Sequence, residues 1–270
     1  MNIKNTYWLL LLTIFFGCIP ESKKNEPRKI PGPLFEDSAT TRKNDKDIAI
    51  FPLPTPFQTV SILKSFELPY SDSLNQIPAN ISTLNNKIKK AFYLGVCSVD
   101  IGYNLAYNRL NDAQKQHQIF TSLLNDLNIP YTSNLNFGSD NTAHINTLIN
   151  KYIHEFETGL NYLTGNKLSE LHLATIIGVF SESLYISVTV DCKNHVNIRK
   201  NLIKQHRLFC DSLLKLIVIQ KLETKLEPLY HHLLRIRDYY DALDKQENYE
   251  KNNIFVLRTM VKDLKQAMLQ

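Results

Sequence analysis

Three side chains with chemical potential sit inside helix-like apolar stretches. They are Asp100 in "AFYLGVCSVDIGYNLAYNRL", Glu182 in "ELHLATIIGVFSESLYISVTVD" and Gln205 in "NIRKNLIKQHRLFCDSLLKLI". Two carboxyls in one dry site take opposite protonation states and can work as an acid/base pair. The same groups, satisfied by donors from neighbouring helices, instead lock helix register. Tyr103 and Tyr185 follow Asp100 and Glu182 by three residues and add a phenol on each helix side. A plainer reading puts Asp100 on a solvent face with Tyr93, Cys97, Asn104 and Tyr107. Against it, Phe92 to Leu110 holds only Asp100 and Arg109 as charges. The expectation is a buried polar cluster of Asp100, Glu182, Gln205, Tyr103 and Tyr185, serving helix register or, alternatively, a small ligand or ion.

Other chemistries lack their residues. There is no HExxH and no E-x-x-H for a metal, and the adjacent His231 and His232 project to different sides of a helix. His154 and Glu157 are one turn apart, but a single such pair arises readily by chance. No GxSxG elbow and no Gly-rich phosphate loop occurs. We therefore expect no catalytic residue, no metal and no cofactor.

The elements that must position the polar groups are helices. From about Thr55 onward apolar residues recur every three or four positions, and β-type alternation is scarce. The pattern predicts helices near 81–110, 112–127, 142–164, 167–191, 196–221, 223–246 and 253–269. Thr55 and Pro56 are placed as cap and first residue of an earlier helix. Asn111 with Gln114 suggests a capping box, Gly165 a helix C′ residue, and Pro228 a break. "SLYISVTV" is β-branched, yet it continues a longer apolar run and reads as buried helix. Gly95, Ser98, Gly102 and Ala106 form a strip of small residues, which predicts close approach of another helix. The expected fold is all-α, a single bundle of about six to seven helices over 55–270.

The preceding residues read as an address. Tyr7 to Phe16 is an apolar run too short to span a bilayer, with Lys4 before it and Gly17-Cys18 after it. A small residue before a Cys at the end of such a run resembles the lipobox of bacterial lipoproteins. That resemblance implies a signal peptide at 1–17 and lipid attachment at Cys18. Ile19 to Pro56 is rich in Pro and mixed charge, so 18–54 is expected to be a flexible tether. Cys97, Cys192 and Cys210 remain, an odd number without CxxC spacing, so at most a Cys192–Cys210 bridge is open. The net charge of +5 is scattered in sequence and lacks a basic block with interleaved aromatics, which argues against nucleic acid.

The segments "FPLPTPFQTVSILK", "KKAFYLGVCSVDIGYNLAYN", "IIGVFSESLYIS" and "RKNLIKQHRLFCDSLLKLI" resemble successive blocks of a family of uncharacterised helical lipoproteins of Bacteroidetes-type bacteria. Asp100 and Glu182 match that family's acidic positions, and Gly95, Gly102 and Gly178 its small ones. Cys97 and Phe180 stand where Tyr and Trp are usual. The resemblance implies an all-α lipoprotein and offers no activity; the expectation drawn from the whole sequence is a non-catalytic envelope lipoprotein, held on the membrane by its lipid and open to an envelope protein partner. "IPESKK" after Cys18 lacks an acidic export run, so the expected location is the outer membrane, facing the periplasm.

Overall fold

The computed structural model describes residues 53–74, 78, 81–132, 135–138, 142–190, 196–246 and 251–270. Cys18, the apolar run before it, the Pro-rich stretch up to Pro52, and Cys192 lie outside the described residues. Every regular element among the described residues is helical. They are α1 (Gln58–Ser65), α2 (Lys87–Ala106), α3 (Leu110–Asp126), α4 (Thr142–Gly165), α5 (Ser169–Thr189), α6 (Val196–Ile219), α7 (Glu227–Gln246) and α8 (Lys251–Ala267), with short 3-10 turns at Asp72–Leu74 and Ile81–Thr83.

Helix ends follow local chemistry. α2 starts at Lys87, later than its apolar pattern implies, because Asn86 Oδ1 accepts from the N–H groups of Ile88 at 2.8 Å and Lys89 at 3.2 Å. Five helix ends share one device. Glu67, Asn108, Asn128, Lys167 and Lys221 take positive φ between 54° and 59°. The next residue then donates its N–H to the carbonyl five positions back, as in Leu68 to Leu63 at 3.2 Å and Leu222 to Ile217 at 2.9 Å. In four of the five ends that next residue is Leu or Ile, which packs on the core or lies within it. Burial of that side chain offsets the left-handed backbone cost, about 1–2 kcal/mol for an ordinary residue.

These ends correct several local expectations. Gly165 is the last residue of α4 rather than its C′ residue, and Lys167 takes the left-handed position. The Asn111–Gln114 box does not form, since Asn108 ends the preceding segment and α3 begins at Leu110 behind Arg109. α1 starts behind Phe57, with no side-chain cap from Thr55. The break expected at Pro228 is present, by contrast: α6 ends at Ile219 and Pro228 is the second residue of α7, where a missing N–H costs nothing.

α2 and α5 form the central pair, with α1, α3 and α4 against α2 and with α6 and α8 against α5, while α7 packs on both α6 and α8. The central pair runs parallel. Asn86 to Ile88 and Leu168 to Leu171 line one surface depression, and Asp100 meets Glu182 farther along both helices. Parallel neighbours cannot be joined by a tight turn, and α3 and α4 supply the return path.

At the crossing the backbones touch. A Cβ built on Gly95 would lie 1.9 Å from the Thr175 carbonyl oxygen, and one on Gly178 would lie 2.0 Å from that of Phe92. Gly102 has a different reason, because its missing Cβ makes room for the Phe57 ring, 3.3 Å from the built atom.

α5 is buried from Leu171 to Val188, apart from half-buried His172. It is the one described helix long and apolar enough to cross a bilayer, yet it is enclosed by protein. Its hydroxyls bond back along the helix, as in Thr175 to Leu171 O at 2.9 Å, Ser181 to Ile177 O at 2.7 Å and Ser187 to Ser183 O at 2.8 Å. The β-branched run is helical because burial on all sides outweighs its weak strand propensity.

Candidate functional site

α2, α5 and α8 bring one acid, another acid and one base together about one turn beyond the glycine crossing. Asp100 is 3% exposed and Glu182 is 0% exposed. Glu182 Oε2 accepts from the ammonium of Lys265, the only basic group bonded to it among the described residues. The Glu182 carboxylate acts directly on the buried Asp100 carboxyl. Asp100 Oδ1 and Glu182 Oε1 receive no N–H or O–H from any other described group.

A proton shared by the two carboxyls would supply the missing donor. It would also leave one negative charge facing one positive charge, making the buried cluster neutral as a whole. The electrostatics run the same way. Burial raises the Asp100 carboxyl well above the usual range, and the Glu182 charge raises it further against the opposing pull of Lys265. Burial alone would lower Lys265, but Glu182 and Asp100 outweigh it, and the ammonium is held above its ordinary value. The Cys97 thiol, one turn before Asp100, is pushed up by burial and then by Asp100.

Further groups hold α8 in place. Tyr93 Oη donates to the Lys265 backbone oxygen at 2.7 Å, satisfying one of the carbonyls that a helix end leaves open. The Lys265 ammonium lies 4.7 Å from the Tyr185 ring centre, and the Arg258 guanidinium lies 6.0 Å from it.

The cluster expected from sequence is thus assembled differently. Asp100, Glu182 and Tyr185 gather around Lys265. Tyr103 belongs elsewhere: its hydroxyl accepts from Ser71 N–H at 2.8 Å, and its ring stacks on Tyr70 at 5.1 Å. Gln205 is only half-buried, and the inward place on α6 falls to His206. The α6 core stripe is centred on Leu202, His206, Phe209 and Leu213, which turns Gln205 to its flank.

Lys265 escaped the sequence reading. Its signal is the spacing of Arg258 and Lys265, seven apart and beside the apolar stripe Ile254, Leu257, Val261, Leu264 and Met268. Two buried acids call for a cation at such a flanking position.

Two histidine arrangements also emerge. His206 Nε2 lies 3.0 Å from Ser187 Oγ. Ser187 donates to Ser183 O, which leaves its oxygen to accept from the imidazole Nε2–H. Burial takes His206 down to about 3. On α3, His117 Nε2 contacts Tyr131 Oη at 2.6 Å, and Tyr131 donates to Glu155 Oε2 at 2.6 Å. This chain ties α3, the following loop and α4 together, and burial takes His117 down to about 4.

Among the described residues no group of three or more His, Cys, Asp or Glu gathers as a metal site. Cys97 and Cys210 are buried free thiols, and Cys210 Sγ donates to Leu233 O at 3.5 Å.

No protein-family model, curated protein or solved structure matches this chain.

Proposed function

We propose that the chain is a membrane-anchored envelope lipoprotein of the uncharacterised helical family it resembles. Its helical part acts as a non-catalytic binding or structural module, built as a single bundle of about six to seven long helices. The observation that carries the non-catalytic reading is the pairing of buried Glu182 with Lys265, beside buried Asp100, between three packed helices. Such a cluster specifies how α2, α5 and α8 dock and offers a substrate no approach. The anchoring reading draws on the apolar run closed by Gly17-Cys18 and on the Pro-rich, charge-mixed segment after it. The outer membrane, facing the periplasm, is the location this reading assigns.

The alternative, a small-ligand or ion pocket around Asp100, Glu182 and Gln205, loses its third member because Gln205 lies on the flank of α6. Metabolic labelling with a fatty acid tests the anchor. Wild type should take up label and fractionate with membranes, and Cys18→Ser should do neither while folding normally. Label retained in Cys18→Ser would overturn lipid attachment at that residue. Crosslinking in cells, followed by identification of the joined protein, tests the partner.

A further inference from the structure

We draw no further inference here: the strongest candidate, the surface depression at the N-terminal ends of α2 and α5 lined by Leu127, Leu168, Leu171, Glu170 and Lys225, carries nothing, because Lys225 is already paired with Glu170 at 3.8 Å and nothing in the structure shows what covers the apolar lining.

Discussion

Gly95 and Gly178 each stand where the partner helix's backbone passes, so that either Cβ would come within 2.0 Å of a carbonyl oxygen on that helix. Side chains can move aside, but helix backbone can do so only by shifting the whole α2–α5 pair. Gly95→Ala and Gly178→Ala should each destabilise the protein by about 1–3 kcal/mol or more through overpacking. Urea unfolding of each variant checks this, and wild-type midpoints would mean that the helices are not in backbone contact.

Lys265 supplies the cation for the fully buried Glu182 carboxylate. Lys265→Met should cost about 3–5 kcal/mol, because Glu182 is left buried without its partner. Adding Glu182→Gln should recover much of that loss, since an amide carries no charge to strand. Equal losses in the single and double variants would argue that Lys265 acts through packing alone.

Asp100 predicts a pH dependence of defined sign. Its folded-state pKa is raised, first by burial and then by Glu182, so the folded state holds a proton that the unfolded state releases. Its contribution is complete below the ordinary carboxylate value of about 4, and it falls as pH rises through the raised value. Lys265, also raised, acts in the same direction at higher pH. Asp100→Asn carries no such proton, so its stability relative to wild type should increase from mildly acidic to alkaline pH. Chemical denaturation at a series of pH values measures the difference, and a flat difference would rule out the shared proton.

The two buried imidazoles act on the acid side. With folded values lowered by burial to about 3 for His206 and about 4 for His117, both are neutral in the folded protein at neutral pH. Their stability is present above the ordinary histidine value of about 6.5 and is lost as pH falls toward the lowered values. Among the eight His residues, NMR titration should find these two uncharged well below pH 6 (about half a unit under the ordinary value), until the protein unfolds. Ordinary titration at either would place that ring in water.

Tyr131 links the α3 histidine to the α4 carboxylate. Tyr131→Phe should cost about 1–3 kcal/mol by removing the hydroxyl that bridges a partly buried imidazole and a carboxylate. Hydrogen exchange should rise first where the loop meets α3. Exchange unchanged there would mean that the loop is held by its apolar contacts alone.

The amino-acid sequence by itself determined the helical class and the polar residues to question. Apolar residues every three or four positions leave a chain this poor in strand alternation few alternatives to packed helices. Asp100 and Glu182 were conspicuous because almost no other charge shares their stretches. The close helix approach at Gly95 was legible too, since glycine in a helix needs a compensating contact. Helix ends were less legible: left-handed Asn, Glu and Lys carry no composition signal as strong as glycine.

The tertiary structure alone decided which groups meet. Glu182 and Lys265 are 83 residues apart, and local periodicity says nothing of which distant flank turns toward which carboxyl. On α6 a small rotation separates Gln205 from His206, and the side facing α5 is settled by the fit of the whole apolar stripe. Spacing along a chain reports the face of one helix. The partner of that face is chosen by packing many side chains at once.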